Sequence, residues 1–144
     1  MQFMMIVKAS ADSEAGVMPT AERITTMQKY NEELVKAGVL LAAEGLHSSA
    51  KGARVNFDGD KKTVVDGPFT ETKELIAGFW IIQAKSLEEA VEWAKKAPNP
   101  HWGGKTNIEI RQVITMEDLG EAATPEVVEG LDRIHAMAKA QRGG

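Results

Sequence analysis

The chain is organised around one polar stretch, Asp66-Gly67-Pro68-Phe69-Thr70-Glu71-Thr72-Lys73-Glu74. This stretch connects two strand-like runs, residues 62–65 before it and residues 76–82 after it. A connection between strands that carries this many ionisable and hydroxyl groups is where a rigid scaffold usually places its working residues. We therefore expect the functional site at this loop.

The composition is that of an ordinary globular domain. The 144 residues are 43% hydrophobic and 26% charged, and a chain of this length buries roughly two thirds of its unfolded surface. The net charge of −4, without a basic cluster, argues against nucleic-acid binding. The absence of cysteine excludes disulfides, thiol catalysis and cysteine-bound metals, and it is compatible with a cytoplasmic location.

The N-terminus is apolar over residues 1–8. This run is too short to span a membrane and lacks the features of a signal peptide. We interpret it as a buried first strand, and we expect no membrane partner.

Hydrophobic periodicity predicts the order strand–helix–strand–strand–helix–strand. The strands are expected at residues 2–9, 39–46, 76–84 and 107–113. A helix begins after the N-cap Thr20 and stops before Gly38, and a second begins at the capping box that starts with Ser86. The stripe of the first helix comprises Ile24, Met27, Tyr30 (or Asn31), Leu34 and Val35.

The connections between these elements are polar or small. The Asp58-Gly59 turn predicts a β-hairpin inserted over residues 54–65. We expect a polar loop at residues 12–18, a small-residue connection at 48–52, and a bulge or bend at Gly45.

The character of the sequence changes after Met116. Residues 117–123 form an acidic linker, and Thr124-Pro125-Glu126 has the composition of a helix start. We therefore predict a domain over residues 1–116, followed by a linker and C-terminal helical extension over residues 117–144.

This order of elements predicts an α+β, ferredoxin-like fold, in which a four-stranded antiparallel sheet carries both helices on one face. The strands are apolar enough that both faces of the sheet require cover; the relevant residues are Met5, Ile6, Trp80, Ile82, Ile108 and Ile110. A homodimer that pairs two sheets face to face would supply it. The C-terminal helix is the alternative cover.

The loop at residues 66–74 resembles the signature of the DGPF subgroup of the YCII-related family. Supporting blocks, in the expected order over roughly residues 1–115, are Phe3-Met4-Met5-Ile6-Val7-Lys8, Ala37-Gly38-Val39-Leu40, Gly45-Leu46-His47, Gly78-Phe79-Trp80 and Ile108-Glu109-Ile110-Arg111. The resemblance implies a dimeric α+β barrel. It implies little chemistry, although some relatives resemble small-molecule lyases or dehydrochlorinases with a His–Asp pair in a cleft.

The candidate catalytic residues are His47 and Asp66. A carboxylate beside a histidine fixes the imidazole tautomer and stabilises its cation, which is the usual arrangement of a general base. His47 ends the second strand and Asp66 begins the signature loop, so both fall at one rim of the expected barrel. The competing interpretation is a solvated His47 and an Asp66 that stabilises a tight turn through backbone hydrogen bonds.

The candidate substrate-binding residues are Glu44, Tyr30, Phe69, Glu71 and Lys73. Four of them also have a structural interpretation: Glu71 and Lys73 as surface ion-pair partners, Phe69 as a core anchor of the loop, and Tyr30 as a buried, hydrogen-bonded side chain.

Other motifs carry less information. The three histidines lack metal-ligand spacing, so we expect no metal, and no cofactor motif is present. The stretch His101-Trp102-Gly103-Gly104 has the flexibility of a lid but not the spacing of a phosphate loop.

The sequence leaves open whether the protein is an enzyme. The function we predict is binding of a small organic molecule in the cleft of a dimeric barrel, with at most the acid–base chemistry of a cofactor-independent lyase or isomerase. The alternative is a non-catalytic binding or regulatory protein that acts through protein–protein contacts.

Overall fold

The computed structural model describes residues 1–71 and 73–143. Thr72, in the predicted signature loop, lies outside the described residues, as does Gly144. The chain divides into two compact units, of which the first is Met1–Gln112 and the second begins at Val113.

The first unit alternates strands and helices. In chain order its elements are β1 (Gln2–Lys8), α1 (Ala11–Glu14), α2 (Ala21–Lys36), β2 (Leu40–Gly45), β3 (Ala53–Asp58), β4 (Lys61–Asp66), β5 (Ile76–Gln83), α3 (Leu87–Lys95) and β6 (Ile108–Gln112). The second unit contains a 3-10 segment at Glu117–Ala122 and the helix α4 (Pro125–Gln141).

Within the described residues, four strands form one antiparallel sheet in the order β2-β5-β1-β6, and β3 pairs with β4 in a separate hairpin. Across the sheet Met5 lies opposite Trp80 of β5 and opposite Ile110 of β6. The structure therefore confirms the predicted α+β class, the antiparallel sheet, the inserted hairpin and the C-terminal helix. The pairing of two such sheets in a barrel stays a prediction.

The core of the first unit lies between the sheet and the helices α2 and α3. Side chains alternate along a strand, so one face of the sheet carries Phe3 and Met5 of β1 together with Trp80 and Ile82 of β5. These side chains pack against residues of the two helices; Tyr30, Leu34 and Ala90 are the buried ones. Burying such side chains is the main stabilising term of the fold.

The buried stripe of α2 is narrower than predicted. Tyr30 and Leu34 are buried and Met27 is partly buried, but Ile24 and Val35 are 46% and 61% exposed. Both residues have the helical spacing of the stripe without being buried.

The predicted helix starts are confirmed by their capping hydrogen bonds. The hydroxyl of Thr20 accepts from the backbone N–H of Arg23, Ser86 accepts from Glu89, and Thr124 accepts from Val127. Each bond satisfies one of the backbone donors that a helix start leaves without an intrahelical partner.

Three connections differ from the prediction. Ser10 and Ser13 form a capping box that starts α1 inside the expected loop at residues 12–18. Within the small-residue connection at residues 48–52 and the acidic segment at residues 117–123, residues 49–51 and 117–122 form 3-10 turns that the sequence did not predict. The strand irregularity expected at Gly45 lies between Leu40 and Ala42, while Gly45 pairs in register with Gly78.

The other face of the sheet has an apolar strip that no described helix of the first unit covers. Met4 lies opposite Ile81, and Ile6 lies opposite Phe79, and all four side chains are partly exposed. Glu109 and Arg111 of β6 bring charge to one margin of this strip, where Glu109 pairs with Lys8 at 2.9 Å.

None of the helices in the described ranges has both the length and the apolar composition needed to cross a membrane.

Candidate functional site

A cavity of about 510 Å³ lies at one end of the sheet in the first unit. Its walls come from the end of β1, the end of β2, the start of β5 and the N-terminal half of α2. The segment from Ser10 to Pro19 and the loop at residues 100–102 close its sides. A volume in this range suits a small organic molecule.

The walls are mainly apolar. The side chains that contribute are chiefly Val17, Met18, Ile24, Met27, Trp80 and Trp102. Val17 and Met18 are 58% and 66% exposed, so they lie at the mouth, whereas Trp80 is only 4% exposed and forms part of the core. A hydrophobic interior behind an apolar rim favours ligands with a substantial apolar surface.

A positive charge stands at the cavity wall. Arg23, in the first turns of α2, lines the cavity, and its guanidinium carbon lies 5.2 Å from the centre of the Trp102 ring. This distance is within the range of a cation–π interaction. Among the ion pairs formed by residues 1–71 and 73–143, none includes Arg23.

The loop that carries His101 is held by its own hydrogen bonds. The backbone N–H of His101 donates to the side chain of Asn99 at 2.8 Å, and the Asn99 amide donates to the carbonyl of Gly104 at 3.0 Å. Trp102 adopts a φ of 52°, a left-handed conformation that is rare for a bulky residue. Such conformations persist where surrounding contacts impose them, and they concentrate at functional sites.

The His101 ring is also tied to the sheet. Its Nε2 atom lies 3.1 Å from the backbone carbonyl oxygen of Lys8, at the end of β1. Both His101 and Trp102 line the cavity. The loop therefore forms a wall that is hydrogen-bonded to the sheet.

Two carboxylates also belong to the polar lining. Asp12 of α1 and Glu44 of β2 both border the cavity, and both residues are exposed. Glu44 is the one predicted substrate-binding residue that the structure places at this cavity. Its role in binding stays a prediction.

The signature loop is joined to α1 through Ser49. The backbone N–H of Phe69 donates to the Ser49 hydroxyl at 2.9 Å. Ser49 in turn donates its backbone N–H and its hydroxyl to the carboxylate of Glu14. A Cβ atom at Gly67 would overlap the carbonyl oxygen of Ser49. The close packing of Gly67 and Ser49 indicates a structural role for this part of the loop.

Phe69 and Glu71 both contact Arg54 of β3. The guanidinium carbon of Arg54 lies 3.9 Å from the centre of the Phe69 ring, and a guanidinium nitrogen lies 3.4 Å from a Glu71 oxygen. A hydrogen bond from its own backbone, followed by the one from Arg54, lowers the pKa of the Glu71 carboxyl. Lys73 is exposed. These contacts agree with the structural interpretations of Phe69 and Glu71.

The structure places His47 and Asp66 on different elements. His47 follows β2 and Asp66 ends β4, and both are exposed. Neither residue borders the cavity at the sheet end. Considering only the described parts of the chain, no hydrogen bond joins the two side chains. Their joint action as a general base stays a prediction.

Tyr30 lies in the core rather than at the cavity. It is 3% exposed, and its hydroxyl donates to the carbonyl of Trp93 at 2.7 Å. Burial, with a smaller contribution from the charge of Glu33, raises the pKa of the Tyr30 phenol from 10.0 to about 12. The structural interpretation of this residue therefore matches its surroundings.

This raised pKa predicts a loss of stability in alkali. Between pH 10 and about pH 12 the unfolded chain loses the Tyr30 proton while the folded chain keeps it, so the free energy of unfolding falls as pH rises. Two pH units correspond to a fall of about 2–3 kcal/mol from this group. Urea unfolding at several pH values gives the free energy of unfolding of the wild type and of Tyr30→Phe. The change of their difference with pH measures the contribution of the Tyr30 titration.

At neutral pH we expect Tyr30→Phe to lower the free energy of unfolding by about 1 kcal/mol, because one hydrogen bond is lost. The substitution removes the alkaline titration, whereas the other titrating groups stay in both proteins. A difference between the two proteins that is constant up to pH 12 would contradict the assigned environment.

No group of three or more His, Asp or Glu side chains within residues 1–71 and 73–143 is arranged to hold a metal ion. The cavity instead offers hydrogen-bonding groups from Arg23, His101, Asp12 and Glu44.

The sequence pattern did not single out Arg23 or Asp12, and it indicated His101 only as part of a flexible lid. Arg23 lies three residues after the N-cap Thr20, where the helix dipole favours acidic over basic side chains, so its positive charge there was an available signal. The one signal for His101 was its place beside Trp102 in a glycine-containing loop. An aromatic residue next to a histidine in a loop indicates a site as strongly as the polar signature loop does.

The family model described as the YCII-related domain matches residues 1–117. An uncharacterised protein of Rhizobium meliloti (strain 1021) is 37% identical over 73 residues, which are 51% of this chain and 59% of that protein. The chain thus matches less than two thirds of this relative's length.

Among solved structures, the chain is similar to a 5-chloro-2-hydroxyhydroquinone dehydrochlorinase from Burkholderia phenoliruptrix AC1100, in complex with 2,5-dihydroxybenzoquinone. The TM-score is 0.42 and the sequence identity 14%, over 79% of this chain and 94% of the dehydrochlorinase chain.

Proposed function

This chain belongs to the YCII-related domain family, and on that premise we propose that it binds a small, largely apolar organic molecule in the cavity at the end of its sheet. The observation that carries the proposal is the cavity itself, of about 510 Å³ and with tryptophan, methionine and aliphatic walls. The loop at residues 66–74 further suggests the DGPF subgroup.

The polar groups of the cavity support acid–base chemistry more than any other kind. A guanidinium can stabilise developing negative charge, while imidazole and carboxylate groups can move protons. We propose that a catalytic activity, if the protein has one, is a proton transfer of the lyase or isomerase type without a cofactor. Simple binding of the molecule is the remaining option.

Blocking the cavity mouth tests the binding proposal. Ile24 lines the cavity and is 46% exposed, so Ile24→Trp adds bulk at the mouth with little effect on the core. We expect this variant to bind 4-hydroxyacetophenone, a small planar probe, at least about tenfold more weakly than the wild type, since the added ring occupies the space of the ligand. Titration followed by ¹H–¹⁵N NMR measures the affinity and locates the site.

Lys29→Trp is the matched control, because Lys29 is an exposed residue of the same helix that does not line the cavity. The control should bind the probe as the wild type does. The proposal would be contradicted if Ile24→Trp bound the probe as tightly as Lys29→Trp does. It would also be contradicted if the NMR signals that shift on binding did not belong to the cavity residues.

The His47–Asp66 hypothesis has a separate test in the same titration. If the two residues act together on the ligand, His47→Ala and Asp66→Ala should each weaken probe binding several-fold, and the double variant should be no weaker than the worse single one. An affinity equal to that of the wild type in both single variants would rule the pair out.

We also propose a homodimer formed through the uncovered face of the sheet. The strip of Met4, Ile6, Phe79 and Ile81 is apolar and partly exposed. A second copy would bring the same strip against it, because the interface of a two-fold dimer is self-complementary. This proposal rests on the unit of residues 1–112 alone.

The dimer proposal predicts that a charge in the strip weakens association. We expect Ile6→Glu to raise the dissociation constant at least about hundredfold, because a buried carboxylate without a partner costs several kcal/mol. Sedimentation velocity over a concentration series measures the change. Val35→Glu, at a position 61% exposed on the helical side, serves as the control. A wild-type protein that sediments as a monomer would contradict the proposal.

A second candidate function is regulation through contacts with another protein. The observation in its favour is the hairpin, where Val55 and Val64 lie opposite one another and are 53% and 67% exposed, beside Phe57 at 69%. An isolated two-stranded hairpin with apolar side chains in water is a surface that a partner could cover.

A further inference from the structure

We propose that His101 is a hydrogen-bond acceptor of the cavity, and that it selects ligands bearing an acidic hydroxyl group, such as a phenol or an enol. This inference rests on the proposed function, since it names the ligand class of the same cavity. The surroundings of His101, rather than its sequence context, suggest this role.

The first step is the tautomer of the imidazole ring. Nε2 lies 3.1 Å from the carbonyl oxygen of Lys8. A backbone carbonyl can only accept, so the neutral ring must carry its proton on Nε2 and donate it. Nδ1 is then left with a lone pair. In many enzymes the tautomer of a catalytic histidine is set in the same way, by the hydrogen bond of its other nitrogen.

The second step is the accessibility of this lone pair. Within the described residues, every buried side-chain nitrogen or oxygen has a hydrogen-bond partner. The hydrogen bonds of His101 in that part of the chain involve its Nε2 and its backbone, and none involves Nδ1. Nδ1 is therefore accessible at least in part, and His101 borders the cavity. A ligand hydroxyl that reaches Nδ1 competes with no hydrogen bond from the described residues.

The third step is the charge around this acceptor. Arg23 lies over Trp102, the residue next to His101, so a positive charge stands near the same wall. Asp12 and Glu44 also border the cavity, and their charges disfavour a ligand that arrives as an anion. The arrangement suits a ligand that enters neutral, donates a hydroxyl proton toward Nδ1, and develops negative charge where Arg23 can stabilise it.

The proton transfer is balanced without a further reactant. The ligand O–H bond breaks, an Nδ1–H bond forms, and the electron pair stays on the ligand oxygen. The imidazolium keeps its Nε2–H donated to the Lys8 carbonyl, which stabilises the cation. Return of the proton to a different atom of the ligand would complete an isomerisation.

Two probes that differ by one hydrogen-bond donor test the inference. These are 4-hydroxyacetophenone and 4-methoxyacetophenone, which share a planar ring and carbonyl, whereas only the first has a hydroxyl. We expect the wild type to bind the hydroxyl compound about tenfold more tightly, since the methyl ether leaves the acceptor without a partner. His101→Phe should reduce this preference to about onefold, and the exposed His135→Gln on α4 should leave it at about tenfold.

The outcomes separate this inference from the proposed function. Equal binding of the two probes by the wild type would overturn the role of His101 and leave the cavity as a binding site. Binding of neither probe would overturn both for this ligand class. A preference that survives in a folded His101→Phe protein would likewise overturn the role of His101.

A measurement on the wild type covers the case in which His101→Phe does not fold. Long-range ¹H–¹⁵N NMR distinguishes the tautomers of the three histidines in the chain. We expect His101 to carry its proton on Nε2, and its Nδ1 signal to shift with the hydroxyl probe but not with the methyl ether. A proton on Nδ1 would overturn the inference.

Discussion

The first unit depends on the contacts of Trp80. Its indole ring is buried in the sheet face, meets the ring of Tyr30 edge-on at a centroid distance of 5.5 Å, and donates its N–H to the side chain of Asn31 at 2.8 Å. Tyr30 in turn donates its hydroxyl to the carbonyl of Trp93. One chain of contacts thus joins β5 to α2 and α3, with each polar atom of the two aromatic residues satisfied, as buried aromatic side chains with polar groups require.

The cavity follows from the way the sheet ends. Trp80 forms its inner wall, and beyond it β5 and β2 meet at the pair Gly78–Gly45, where large side chains are absent. A Cβ atom at Gly78 would lie 2.8 Å from the carbonyl oxygen of Glu44, so the close approach of the strands requires a glycine there. The sheet therefore carries no side chains at this pair of glycines. The N-terminal half of α2 borders the same place, and the space left between helix and sheet is the cavity.

The signature loop is held to neighbouring elements by contacts of its backbone and of its aromatic ring. Its backbone is bound to Ser49, which is bound to Glu14, and its aromatic ring lies against Arg54. The loop concentrates polar side chains, and of these Glu71 pairs with Arg54, while the backbone of Phe69 is hydrogen-bonded to Ser49. Polar density identifies an ordered connection as readily as it identifies a site.

The sequence by itself determined the sheet strands, the hairpin, the three longer helices and their order, because helix caps, hydrophobic periodicity and turn residues act over short distances along the chain. Thr20, Ser86, Thr124 and the Asp58-Gly59 turn were all read correctly for this reason. Only the tertiary structure decided which polar residues face a common space. Arg23, His101 and Glu44 come from a helix, a loop and a strand, and nothing local to any one of them records the other two. Their proximity depends on how α2 packs across the end of the sheet.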